Sequence, residues 1–182
     1  TGGLRYEQFR AWDGAQYFAA NPPVQSAYPQ RELHAASPKL SLAWMATDDL
    51  VLKASAGKGV RFPNVDELFN GTKTGTSITF SDPDLKPEVS TALELSVEKT
   101  WDQHSLRVSY FRDDSTDTIL RQTDSTVTPT VSRVSNVDRV LTDGIEAVWQ
   151  GSNLGVKGLE LEGSLTWADA VVKENTRNPA MV

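Results

Sequence analysis

The sequence predicts an all-β chain: about seven long strands from a transmembrane, antiparallel, up-and-down β-barrel. Three observations predict it. Apolar and polar residues alternate with period two along much of the chain, and helical periodicity is scarce. Short and long connections alternate strictly. Four tryptophans lie on the apolar side of a strand, near its end.

The strands are placed near 3–11, 37–46, 50–60, 88–101, 104–121, 137–151 and 156–171. Lys39-Leu40-Ser41-Leu42-Ala43-Trp44 alternates and marks the second. Leu50-Val51-Leu52-Lys53-Ala54-Ser55 marks the third, and Leu93-Glu94-Leu95-Ser96-Val97-Glu98 the fourth. Leu106-Arg107-Val108-Ser109-Tyr110, Ile145-Glu146-Ala147-Val148-Trp149 and Leu159-Glu160-Leu161-Glu162 mark the rest. Several run well past the usual length of about five or six residues.

Thr47-Asp48-Asp49, Asp102-Gln103 and Ser152-Asn153-Leu154-Gly155 are tight turns. The other connections, 12–36, 61–87 and 122–136, are long. Alternate connections of an antiparallel sheet fall at opposite ends. One end is therefore trimmed and the other carries large loops, as in outer-membrane barrels.

Trp44, Trp101 and Trp149 share parity with the apolar residues of their strands and sit beside short turns. Trp167 shares parity with Leu159, Leu161 and Leu165 at the opposite end. Eight steps of strand span about 26 Å. A tilt of about 40° leaves about 20 Å of height, near the apolar band of such barrels. Indole favours the boundary of hydrocarbon and water, so these residues read as two membrane girdles. Alternation alone fits a soluble β-sandwich equally well, for instance a carbohydrate-binding module. Loop asymmetry and end-placed tryptophan favour the barrel.

The opposite face carries Lys53, Glu94, Glu98, Arg107, Glu146, Glu160, Glu162 and several serines. It is polar and mostly acidic. It suits either plain solvation or a partner bearing arginines. Some residues fit the apolar face poorly. Lys99 can snorkel past Trp101. Asp143 falls at mid-depth, and Arg112 raises the same difficulty. A bulge at Gly144 would flip parity above Asp143.

Composition excludes other classes. The net charge is −6, which disfavours nucleic acid as a partner. There are no cysteines and two histidines, so thiolate sites, disulfides and a His-rich metal centre are excluded. No metal or cofactor is expected. No apolar run reaches about 18 residues, so no transmembrane helix is expected. The chain has neither initiator Met nor signal peptide and reads as part of a longer protein.

Between the third and fourth strands, Pro63 forces Phe62 into extended geometry. Asn64 suits an N-cap, and Asp66 and Glu67 suit a first helical turn. Asp82-Pro83-Asp84-Leu85-Lys86-Pro87-Glu88 carries two prolines and reads as a stiff re-entry into the fourth strand. Gly57 and Gly59 belong to no nucleotide-binding loop. Paired carboxylates at Asp48/Asp49, Asp113/Asp114 and Glu160/Glu162 lack any neighbouring cleft signal, so no catalysis is expected. His34 and His104 read as solvated residues of a loop and a turn.

The stretch from Ser37 to Phe69, followed by Asp82 to Glu98, resembles the barrel of TonB-dependent outer-membrane receptors. Members of that family commonly carry Asn-Pro-Asp-Leu-Lys-Pro-Glu; here Asp82 replaces the first Asn. Gly144-Ile145-Glu146 resembles another recurrent strand of the family. The likeness spans residues 37 to 167. It implies a barrel of about 22 strands with an N-terminal plug, of which 1–182 would be a barrel segment lacking the plug. It implies import of a scarce nutrient, above all a ferric siderophore, across the outer membrane of a Gram-negative bacterium. It implies TonB, the plug and outer-membrane lipid as partners. Glu94 and Glu146 best match the positions where barrel glutamates hold plug arginines. Tyr17, Phe18, Tyr28, Arg31 and Phe80, in the long loops, are candidates to touch ligand.

Overall fold

The computed structural model describes residues 1–18 and 24–179. Seven long strands form one curled antiparallel sheet. They are β1 (Gly2–Ala11), β4 (Arg31–Thr47), β5 (Leu50–Arg61), β8 (Glu88–Trp101), β9 (His104–Asp124), β10 (Thr130–Ser152) and β11 (Glu160–Glu174). The short elements are β2 (Ala15–Phe18), β3 (Val24–Ala27), α1 (Val65–Phe69), β6 (Thr72–Lys73) and β7 (Ser77–Phe80). Along the sheet the order is β1-β4-β5-β8-β9-β10, with β11 on β10. Neighbours in this row are consecutive long strands, the up-and-down arrangement. Among the described residues no helix is long and apolar enough to cross a membrane.

All seven expected strands are present, but three boundaries move. β4 begins at Arg31 and β10 at Thr130, well before the expected starts, and β11 begins at Glu160. The extra stretch of β10, Thr130-Val131-Ser132-Arg133-Val134-Ser135, is rich in β-branched residues. It pairs with β9 on one side and with β7, in parallel, on the other. The expected loop 122–136 therefore shrinks to a turn at 125–129. The loop 61–87 supplies strands of its own.

The tight turns follow backbone chemistry. Asp102 and Asn153 adopt left-handed φ of 45° and 52°, which short polar side chains tolerate. Gly155 and Gly158, at 74° and 84°, lie where a Cβ would be strained.

Among the described residues the apolar side of the sheet faces no second layer. Leu42, Leu95 and Leu161 are 60 %, 47 % and 49 % exposed, so the sandwich reading fails. Trp44, Trp101 and Trp167 stand out on the same side. Trp149 is half-buried because His104 stacks between it and Trp101, at ring distances of 5.7 and 5.6 Å. His104 thus packs between two tryptophan rings and is not a solvated turn residue. His34 lies within β4, where it shares a 2.9 Å hydrogen bond with Tyr6 Oη.

The residues that fitted the apolar face poorly find partners. Lys99 Nζ reaches Asp49 Oδ2 in the first turn at 2.7 Å. Arg112 and Asp143 are directly opposed across β9 and β10. Their charges lie 3.5 Å apart, and Tyr110 Oη donates to Asp143 at 2.7 Å. Asp143 opposes Asp169, two residues beyond Trp167 toward the looped end. It therefore lies on the looped side of Trp167. No bulge occurs at Gly144, since pairing runs unbroken through it on both sides. The Phe111 ring covers Gly144 and occupies the space a Cβ would need.

Candidate functional site

Two surfaces carry polar chemistry: the concave face of the sheet and the outer mouth above it. On the concave face, strand parity brings together Lys53, Glu98, Arg107 and Glu146 from β5, β8, β9 and β10. Lys53 Nζ donates to Glu98 Oε2 at 2.7 Å, and Arg107 lies 3.7 Å from Glu146. Thr166 Oγ1 also donates to Glu146, at 3.4 Å. These pairs consume both basic residues of the central wall. The side chains of Glu94, Glu160 and Glu162 make no hydrogen bond or ion pair among the described residues. Asp113, held by the Ser90 and Ser115 hydroxyls and by no cation, adds to the acidic surplus on this face. Glu160 and Glu162, with Ser105 and Gln150, line a cavity of about 630 Å³ near the short turns.

At the trimmed end, the Lys99 ammonium, and then the Thr47 hydroxyl, hold the Asp49 carboxyl below its usual range. At the looped end, the hydroxyl and amide of Thr126 do the same for Asp124. Neither is arranged for proton transfer. Among the described residues no group of three His, Cys, Asp or Glu gathers to hold a metal.

At the outer mouth, Asn64 caps α1 as expected. It accepts from Glu67 N at 2.9 Å, and Glu67 returns the bond to Asn64 N at 2.9 Å. This reciprocal box satisfies two backbone donors that a helix start leaves free. Asp82 accepts from Asp84 N at 2.9 Å, the role that an asparagine would fill equally well.

The candidate ligand residues separate. Arg31 points into the structure and donates to the carbonyls of Pro83 and Leu85 at 2.7 and 2.5 Å. Tyr28 stacks on Phe69 with ring centroids 4.9 Å apart, and its hydroxyl donates to Gln16 at 2.9 Å. Tyr17 is exposed. Phe80 is partly exposed beneath the Arg133 guanidinium, 4.5 Å from its ring centre. The side chain of Phe18 lies outside the described residues. Tyr28 and Phe80 line one cavity of about 320 Å³ together with Gln16 and Ile78, whereas Arg31 is turned to the Pro83 and Leu85 carbonyls. Sequence reasoning missed Arg61, Asn136 and Arg133, all of which make contacts at the mouth. Arg61 follows the Gly57–Val60 strand end, but its partners Glu67, Glu88 and Ile119 lie in separate segments.

Residues 1–180 match the family described as TonB dependent receptor-like, beta-barrel. No curated protein matches the chain at a significant level. Among solved structures, the copper transporter OprC aligns at 21% identity and a TM-score of 0.77, covering 95% of this chain and 26% of its own. The FrpB iron transporter from Neisseria meningitidis aligns at 15% identity and a TM-score of 0.66, covering 100% of this chain and 25% of its own. The siderophore receptor PirA from Pseudomonas aeruginosa gives 17%, 0.65, 95% and 35% in the same measures. The chain thus spans about a quarter to a third of the length of these structures. At such identities the likeness concerns the fold.

Proposed function

The chain belongs to the β-barrel family of TonB-dependent receptors, and on that premise we propose that it serves as one wall of a barrel importing a scarce nutrient across the outer membrane of a Gram-negative bacterium. Ferric siderophore is the cargo proposed. The solved relatives are named as carriers or receptors of copper, iron and siderophores, and none of those names describes an enzyme. The work is binding and gated passage, with no bond broken.

The observation that carries this reading is the two-sidedness of the sheet. Its convex side bears leucines between rows of tryptophan, as lipid contact requires. Its concave side bears carboxylates in excess of cations. The free edges of β1 and β11 would be prohibitive in hydrocarbon, so further strands must close the barrel. A plug with arginines on its surface would meet Glu94 and Glu146 within the lumen, with TonB drawing on the plug from the inner side. Glu94 is the freer acceptor, because Glu146 is already engaged by Arg107.

Uptake of a labelled ferric siderophore by iron-starved cells, with and without the gene, tests the proposal. Loss of uptake on deletion is expected; undiminished uptake of every siderophore offered would contradict the cargo. Plug retention in a full-length Glu94→Ala/Glu146→Ala variant tests the partner, and unchanged retention would count against it.

A further inference from the structure

We infer that residues 61–87 form a strut, one cooperative unit that crosses the concave side and ties the two flanks of the curled sheet at the outer mouth. In the sheet, β1 and β10 are separated by β4, β5, β8 and β9. Yet Ala11 of β1, Ile119 of β9 and Val134 of β10 share one apolar cluster with Leu68 and Leu85 of this segment, and Phe9 and Phe69 pack against it. Leu68 and Leu85 are fully buried. Only a segment lying across the hollow of the sheet can touch both flanks.

Side-chain grips fix the backbone of the segment at each flank. Arg31 of β4 holds the carbonyls of Pro83 and Leu85. Asn136 of β10 accepts from Lys86 N at 2.9 Å and donates to Lys86 O at 3.0 Å, a two-way grip on the backbone of one residue. At the base, Arg61 bridges Glu67 and Glu88 at 3.0 and 3.3 Å and donates to Ile119 O at 3.3 Å. Glu88 in turn accepts from Ile119 N at 3.0 Å.

The two halves of the segment also hold each other. Asp82 N donates to Glu67 O at 3.2 Å, so the helix and the proline-rich re-entry are joined directly. Loosening one grip should therefore loosen both halves. The 125–129 turn differs: the bonds shown for it are the local ones from Thr126 to Asp124. This inference needs the barrel but not the identity of the cargo, so it stands or falls separately from the uptake result.

Hydrogen exchange of the full-length receptor in lipid bilayers tests it. The amides of Leu68 and Lys86 are expected to exchange at least ~100-fold more slowly than those of residues 125–127, as for a cooperatively closed unit. In Arg31→Ala, the Leu68 amide, which Arg31 does not touch, is expected to speed up at least ~10-fold together with that of Lys86. Asn136→Ala is expected to act on Leu68 in the same way. Resistance of the unheated barrel to SDS establishes that each variant is assembled. Acceleration confined to Lys86 would mean separate anchors and would overturn the strut. So would wild-type Leu68 exchanging as fast as residues 125–127, a result that needs no variant.

Discussion

The membrane-facing half of the sheet and the outer mouth use apolar residues in opposite ways. In the first, Leu42, Leu95 and Leu161 stand on a face that no second layer of the described residues covers. In the second, Leu68 and Leu85 are sealed within a small core. The difference follows from two solvents. Lipid accepts a bare leucine and satisfies no backbone, so the lower strands pair along their whole length. Water rejects the leucine and satisfies backbone, so the upper region can afford irregular segments but must fold over its own apolar side chains.

The largest break in this contrast should come from Leu85→Ala. The buried side chain has no lipid to replace it, and such truncations cost about 2–5 kcal/mol. Protease cleavage within 61–87 should appear while the barrel stays intact. The matching truncation Leu95→Ala on the open face should leave protease resistance unchanged. A charge reverses the ranking of the two surfaces. Leu95→Arg should lower barrel stability by about 2–4 kcal/mol in urea unfolding from bilayers, whereas Ser96→Arg, on the concave side, should refold into the same bilayers with a smaller loss.

Smaller effects are expected where the regions meet. Arg112→Ala removes the cationic partner of Asp143 and leaves that carboxylate with the Tyr110 hydroxyl, facing Asp169. Both members of the pair are partly exposed, so screening limits the loss to about 1 kcal/mol or less, read from the same unfolding curves. Smallest is the acid response of the first turn. Asp49 is held below its usual range by Lys99 and Thr47, so its folded pKa lies under the unfolded value of about 3.9. Its contribution is complete above that value and fades as pH falls through the folded one. Denaturation between neutral pH and about 5 should be flat in this respect. Asp49→Asn should remove the part of the acid limb that remains below.

The lower half was legible because one rule governs it. A period-two pattern states which side each residue faces, and Trp44, Trp101, Trp149 and Trp167 mark where the pattern must stop. The mouth was legible only where the determinant was local, as in the capping box of Asn64 and Glu67 or the turn at Asp82. Arg31 read as a loop residue that could touch ligand because its partners, Pro83 and Leu85, lie far along the chain. Arg112 and Asp143 each looked misplaced alone, and pairing across β9 and β10 resolves both. Gly144 suggested a bulge by residue type, but the Phe111 ring explains the glycine. Above the membrane the alternation no longer tracks two solvents, so the early starts of β4 and β10 gave no signal.

The central claim is that the leucine side of the sheet meets lipid and the glutamate side meets a water-filled or plugged lumen. Single spin labels placed in turn at 93 to 98 of the full-length receptor, in bilayers, test it most directly. Collision with oxygen should peak at positions 93, 95 and 97, and with a water-soluble nickel complex, where access allows, at 94, 96 and 98. Absence of that alternation, or nickel access highest at 93, 95 and 97, would contradict it.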